Sequence, residues 1–539
     1  MTSKLSARDR LSLLLDPGTF HESSCTPDIP AAAAPAPAVP SVTAPSAVDS
    51  AASAPAATAM SAAPTPGVIT GWGLVNRRKV FVYAQDFSVS GGALGKAQAY
   101  AICRVLAAAR EAKAPVVGIN DSAGAKIQEG VDALSGCGSM FHQHVLCSGK
   151  IPQITLIMGP CAGAAAYAPS LTDLVLMTEG SSRMFCTGPA VVSSVTYEEV
   201  EAEILGGAAT HAAITGIADL TAADDRALLL KARRLLSYLP SSSEEMPPEA
   251  QETLLQSNTP VNHVTTSPST TSTASSSTTS ATSSSTTSAA SPSTTCTVSS
   301  PPQAANALAT LLPDNPKIPY DMKDLIRLIA DPDSFFELQP LFADNLVTAL
   351  IRIAGRVTGV IANQPMEMAG CLDTLAAKKG AKFVRLCSRF HIPLLSLMDT
   401  PGFLPGVEEE HGGILQQGAG LLTALNTAQV PLVTVIIRKA YGGAYIAMGS
   451  RECGADLVLA WPTAEIGVMG AEGAVSILYR KEIASAKDPD QERKRLAEEY
   501  RSSYSSSSQA VERGYVDRII RPAETRSELI RAFSQLLQQ

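Results

Sequence analysis

Two runs of small residues stand where chemistry could be done without a reactive side chain. Gly159-Pro160-Cys161-Ala162-Gly163-Ala164-Ala165-Ala166-Tyr167 follows the apolar segment Gln153–Met158. Arg438-Lys439-Ala440-Tyr441-Gly442-Gly443-Ala444-Tyr445 follows Leu432–Ile437. Where a buried strand turns into a helix, the first helical amides lack intrahelical acceptors, and the helix start favours negative charge. Small side chains let a ligand oxygen approach those amides, so each run can hold an oxyanion. Tight packing of helix on strand would explain one such run equally well. Two at matching places point to a reaction with two oxyanions. Conventional machinery is missing beside them: there is no Ser–His–Asp set, no carboxylate pair and no metal cluster. His142 and His144 are two residues apart, so on a helix they face different ways and make a poor metal pair.

The segments around these runs explain how they would be positioned. Val80–Tyr83, Pro115–Ile119 and Gln153–Met158 recur in order and character as Val357–Ala362, Pro393–Met398 and Leu432–Ile437. All are β-branched and apolar, the pattern of strands covered on both faces. Between them Ala97–Ala112 and Thr374–Arg389 carry apolar residues at helical spacing. Alternating strands and helices predict an α/β fold, and the repetition predicts two tandem copies of it.

Two stretches separate or interrupt these copies. Residues 26–66 are rich in Ala and Pro and predict a flexible insertion. Residues 241–305 include STTSTASSSTTSATSSSTTS, too polar to repay the entropy of ordering, and predict a disordered linker. The expected organisation is a helical segment over 1–25, the insertion, a first domain over 67–240, the linker, and a second domain over 306–539.

Composition narrows the function further. A net charge of −8 without a basic stripe argues against a nucleic-acid partner. No apolar run reaches membrane-spanning length unbroken, so no membrane span is expected. The ten cysteines are scattered singly, which argues against a zinc ribbon and for a reducing compartment. Met1–Phe20 holds Lys4, Arg8, Asp9, Arg10 and Asp16 and has no signal-peptide core. The expected location is the cytoplasm, or the mitochondrial matrix if a leader precedes Met1.

The runs SARDRLSLLLDPGTF, GINDSAGAKIQEG, PQITLIMGPCAGAAAY, NQPMEMAGCLD, DTPGFLPG, RKAYGGAY, GADLVLAWPTAEIGVMGAEGAV and ERGYVD together resemble the carboxyltransferase β subunits of biotin-dependent acyl-CoA carboxylases, with propionyl-CoA carboxylase β chains the nearest kind. The resemblance covers nearly all of the chain outside the two low-complexity stretches. It implies a pair of crotonase-type (ClpP/crotonase) β-β-α spiral domains. It also implies dimers in which the first domain of one copy faces the second domain of another, assembled into a hexamer. Carried over by position, the amides of Gly163 and Ala164 would meet the thioester enolate, and those of Gly443 and Ala444 the biotin urea oxygen. In that family the cofactor itself serves as base, which accounts for the missing acid–base residues.

Other positions carry weaker expectations. Ala123, Gly124, Ala125 and Lys126 occupy the place of a Gly-Gly-Ala-Arg run that shapes the acyl-CoA site. Lys126 could meet a CoA phosphate without the forked geometry of Arg, or be a solvated lysine. Asp399–Gly406 is the matching loop on the biotin side. Ile446 replaces an Asp of propionyl-preferring relatives at a position linked to acyl-chain choice. Glu367, Glu465 and Glu472 suggest general bases by crotonase analogy, and structural roles suit them as well. No Ala-Met-Lys-Met attachment motif occurs, since Met322-Lys323 lies between Asp321 and Asp324. Biotin is therefore expected on a separate subunit that supplies the biotin carboxylase and carboxyl carrier, with no metal in this chain. Ala164, Lys126, Ser505–Ser508 and the absence of a basic tail depart from the family pattern. They keep open an inactive scaffold, beside a transcarboxylase or decarboxylase subunit.

Overall fold

The computed structural model describes residues 4–23, 65–250 and 302–538. Nearly all of the 26–66 insertion, and residues 251–301 of the linker, lie outside the described residues.

Two eight-stranded mixed sheets account for the repetition seen in the sequence. The first holds β1 (His21–Glu22), β2 (Val68–Val75), β3 (Arg78–Gln85), β4 (Val116–Ser122), β5 (Gln153–Ala162), β6 (Leu174–Thr178), β7 (Arg183–Phe185) and β8 (Leu220–Ala222). The second holds β9 (Phe336–Leu338), β10 (Leu346–Ile353), β11 (Arg356–Asn363), β12 (Leu394–Thr400), β13 (Leu432–Tyr441), β14 (Leu457–Ala460), β15 (Glu465–Gly467) and β16 (Arg518–Ile519). Their orders are β1-β2-β3-β4-β5-β6-β8 and β9-β10-β11-β12-β13-β14-β16, with β7 and β15 pairing to the far ends of β5 and β13. The opening pairs of each sheet are antiparallel and the rest parallel. Each sheet continues through a crossover helix, Lys96–Glu111 in one and Thr374–Arg389 in the other.

The expected strands all appear, and the two that were to open on proline start one residue later. Pro115 and Pro393 have no N–H for the ladder, yet their carbonyls accept from Phe81 and Gly359. Every residue of β4 and β12 is buried, the apolar ones as the pattern predicts and, with them, the polar residues toward their C-terminal ends. The N-terminal segment is not a separate unit. Leu11 and Leu14 of the helix Ala7–Leu14 are buried in the core, and β1 extends the first sheet.

Disorder was expected from Ser241, but order continues to Ala250. The polar backbone there finds acceptors and donors on both halves: Ser243 N–H donates to Lys150 O, Ala250 N–H to Gly355 O, and Arg352 donates to Pro248 O. The halves also share a core. Leu228, Leu229 and Leu235 pack in one cluster with Phe336, Leu338 and Phe383. Lys382 reaches across to Asp219 at 2.6 Å, and Tyr238 donates to Ser334 O at 2.6 Å. Among the described residues no helix is long and apolar enough to cross a membrane.

His144 shows what this burial does to a titratable group. It lies inside the first half, its Nδ1 2.8 Å from Gln153 Oε1, and burial pushes its imidazole down to about 4. An exposed histidine titrates near ~6.5, so between these values the unfolded chain binds more protons than the folded one. The neutral ring's contribution is complete above ~6.5 and is lost as pH falls toward ~4. Wild type should lose roughly 2 kcal/mol more than His144→Gln between pH 7 and pH 5 in denaturant unfolding. Parallel pH profiles for the two proteins would refute this.

Candidate active site

Each long central strand ends in the same bend. β5 closes at Ala162, and Gly163 (φ +60°) starts the short turn Gly163–Ala166, which leads into Tyr167–Ser170. β13 closes at Tyr441, and Gly442 (φ +59°) starts the helix Gly442–Ala447. A positive φ at these points is costly for any residue with a Cβ, which explains the glycines. Both strands are ten residues long, so Gly163 corresponds to Gly442, Ala164 to Gly443, and Ala165 to Ala444. The expected donor pairs, Gly163 with Ala164 and Gly443 with Ala444, are therefore one residue out of step between the halves. Only the first residue of each bend takes the left-handed conformation; Ala164 has a negative φ.

The two bends differ in access: Gly443 is exposed, but a Cβ at Gly442 would stand 3.2 Å from Val468 O, and Ala444 is fully buried. A Cβ at Gly163 would meet nothing within 4 Å, and one at Gly443 would meet only the Phe403 ring, at 3.4 Å. Both following helices are short, so any anion would be held by the first few amides rather than by a long macrodipole.

Beside each bend lies a matching loop. Ser122 Oγ accepts from Gly124 N at 3.1 Å, and Thr400 Oγ1 accepts from Gly402 N at 3.3 Å. Ala125 bridges to Leu94, and Phe403 to Leu372. A Cβ at Gly124 would stand 2.9 Å from Ala162 O, so the Ala123–Lys126 loop rests against the first bend. Lys126 is half-buried and paired with Glu129 at 2.9 Å, instead of extending freely into solvent. Glu129 also caps the helix Lys96–Glu111, accepting from Lys96 N at 2.8 Å. Glu409 does the same for Thr374 N at 2.8 Å in the second half. Ile446 is exposed, four residues beyond Gly442.

Under each bend is a buried ion pair. β4 and β12 each carry an irregularity in register, between Asn120 and Ser122 and between Met398 and Thr400. The residue between, Asp121 or Asp399, turns its carboxylate beneath the bend. Arg10 donates to Asp121 Oδ2, Asp225 Oδ2 and Met158 O, each at 2.8 Å. Arg438 donates to Asp399 Oδ2 at 3.0 Å and to Ile318 O at 3.1 Å. Burial pushes the Asp399 carboxyl above the usual range, while Arg438 and the Lys439 amide pull it back. The halves thus reach one arrangement by different routes. Arg438 lies on β13 itself, whereas the corresponding position on β5 is Gly159, where a Cβ would fall 2.0 Å from Asp121 Oδ1. The first half takes its arginine from the N-terminal helix.

Sequence reasoning missed Gly442, the carboxylate caps Glu129 and Glu409, and these two ion pairs. The matched Asp in DSAG and DTPG was the available signal. Among the suggested bases, Glu465 accepts from Tyr441 Oη at 2.7 Å and Arg501 Nε at 2.9 Å, a bracing role. Glu367 and Glu472 are exposed. His142 is exposed and His144 buried, so the two do face different ways.

Comparison with known proteins fits this geometry. The carboxyl transferase domain family matches residues 46–275 and 273–539. The chain is similar to the propionyl-CoA carboxylase beta chain of Roseobacter denitrificans, 41% identical over 99% of this chain and 91% of that protein. It is also similar to the methylmalonyl-CoA decarboxylase subunit alpha of Propionigenium modestum, 42% identical over 99% of this chain and 90% of that one. Among solved structures it matches the transcarboxylase 12S hexamer with methylmalonyl-coenzyme A and methylmalonic acid bound: TM-score 0.81, 40% identity, 99% of this chain and 90% of that one. The two tandem α/β domains share that protein's crotonase-like carboxyltransferase fold.

Removing one member of a buried pair strands the other charge. Arg438→Met should cost about 3–5 kcal/mol in denaturant unfolding, and adding Asp399→Asn should recover much of it. A single variant as stable as wild type would show that the pair does not support the bend.

Proposed function

From its membership of the carboxyl transferase family, to which the chain belongs, we propose that this carboxyltransferase is the β-type subunit of a biotin-dependent acyl-CoA carboxylase. Its substrate is a short acyl-CoA of propionyl or acetyl type, carboxylated at the α-carbon. The observation that carries this reading is the pair of equivalent left-handed bends, each with small residues and a buried Asp–Arg pair beneath it.

At the first bend the amides that follow Ala162 hold the thioester oxygen as it gains charge, a donor set fixed before the substrate arrives. Ala123, Gly124 and Ala125 shape the acyl side of this cradle. Lys126 meets a CoA phosphate by leaving Glu129, an exchange of one anionic partner for another. At the second bend the amides of Gly443 and Ala444 hold the ureido oxygen of biotin, with Phe403 beside Gly443 limiting the approach. Carboxybiotin, when bound, supplies the carboxyl group and a ring nitrogen able to take the α-proton. The chain's own task is to orient the two reactants and neutralise developing negative charge. Ala164 in place of a second glycine leaves that task intact, because the amide remains and the left-handed step falls on Gly163.

The partners follow from the same reading. Ile127, Val131 and Leu134 near the first bend, and Val407, Leu415 and Val468 near the second, are exposed apolar residues. Patches of this kind mark an interface. A second copy of the chain covers them, first half against second half, and these dimers build a hexamer. The biotin arrives on a partner that carries the biotin carboxylase and carrier, in the cytoplasm or the mitochondrial matrix.

A second reading is favoured by the similarity to a decarboxylase subunit. The same enolate lies on the path of carboxylation and of decarboxylation, so the bends serve either direction.

The test is reconstitution. With its biotin-bearing partner, ATP and bicarbonate, the chain should carboxylate propionyl- or acetyl-CoA. Gly163→Val and Gly442→Val should each lower kcat roughly 100- to 1,000-fold. Gly443→Ala should be far milder, since Ala164 already occupies the corresponding place. Ile446→Asp should shift preference within a panel of acyl-CoAs. Carboxyl transfer that ignores both valine variants would sink the assignment, and release of carboxyl from methylmalonyl-CoA without net carboxylation would favour the second reading.

A further inference from the structure

Four residues past each left-handed glycine, the new helix shows a side chain to solvent: Tyr167 is 53% exposed and Ile446 42%. The short strand that pairs with the end of each long strand supplies a second residue. Cys186 follows Phe185, which pairs with Ala162 on the edge of the first bend. Val468 follows Gly467, which pairs with Tyr441 on the edge of the second. The duplication therefore sets Tyr167 and Cys186 where the other half has Ile446 and Val468. Val468 rims its bend closely, since a Cβ on Gly442 would lie 3.2 Å from its carbonyl oxygen.

In the first half the two side chains touch. Tyr167 Oη lies 3.1 Å from Cys186 Sγ, and the ring is backed by Phe141 with centroids 6.0 Å apart. The phenol is thus held from two sides while its outer face stays open. An acyl group extending from Gly163 toward this edge would meet the pair, and only a longer one would have to displace it.

We infer that Tyr167 and Cys186 form the wall that limits acyl-chain length at the first bend, so that specificity is set there as well as at Ile446. This rests on the reading that the first bend holds the acyl thioester. A polarizable thiol next to a ring makes a tight but deformable stop. One methylene against a fitted wall changes kcat/KM by about 10- to 200-fold, enough to separate neighbouring acyl-CoAs.

Two measurements on the reconstituted complex test the inference. Tyr167→Ala and Cys186→Ala should raise the kcat/KM ratio of butyryl-CoA to propionyl-CoA by roughly tenfold. Iodoacetamide labelling read by peptide mapping gives the second readout. Of the eight cysteines described, Cys186 is the exposed one and the others are buried or half-buried. Saturating propionyl-CoA should slow alkylation of Cys186 severalfold, while free biotin should not. Unchanged ratios in both variants, or labelling indifferent to propionyl-CoA in a complex that carboxylates it, would overturn the wall. A wild-type complex that carboxylates no acyl-CoA would overturn the underlying reading and the wall with it.

Discussion

The structure depends on placing a carboxylate and a guanidinium beneath each bend, away from water. Asp121 with Arg10, and Asp399 with Arg438, are almost wholly buried, and such a pair is tolerable only when its remaining atoms are also satisfied. They are. Lys4 donates to Asp121 Oδ1 and the Lys439 amide to Asp399 Oδ1, while Arg10 also donates to Asp225 and Met158 O, and Arg438 to Ile318 O. The pairs pin the point where β4 and β12 slip in register against their neighbours, and that slip lets β5 and β13 run on into the bends.

The two halves show that evolution kept the arrangement and not the residues. On β13 the arginine stands in the strand. On β5 the space is taken by the Asp121 carboxylate, so glycine is required there and the arginine comes from the Ala7–Leu14 helix. The N-terminal segment is therefore structural to the first bend despite its distance in sequence. The same independence of residue identity appears at the bends themselves, where Ala164 and Gly443 stand at equivalent positions. Backbone donors tolerate substitution as long as φ is kept; side-chain donors would not.

Between the halves, a shared apolar cluster and cross-contacts such as Lys382 with Asp219 make the chain one body. Lys379 illustrates how firmly the junction is held. Buried, it donates to the carbonyls of Gln339, Phe342 and Ala343, fixing the loop before β10. A rigid junction suits a reaction in which the protein contributes position and fixed dipoles and few moving acids or bases.

How much of this was legible in the residues differs by level. Strand character, the duplication, the two small-residue bends and the neighbouring loops are local patterns, because burial on both faces and a left-handed turn each demand particular residues at particular spacings. The family resemblance rests on the same local runs. The sequence could not align the halves to the residue, since small residues on either side of a bend look alike until φ separates Gly163 and Gly442 from their neighbours. It also gave no sign that Arg10 meets Asp121, that Glu129 turns Lys126 away from solvent, or that Tyr167 meets Cys186. Arg10 and Asp121 lie far apart in the chain and the other two pairs are nearer, but in every case only the packing of sheet, helix and loop decides which charged or polar groups must share the space from which water is excluded.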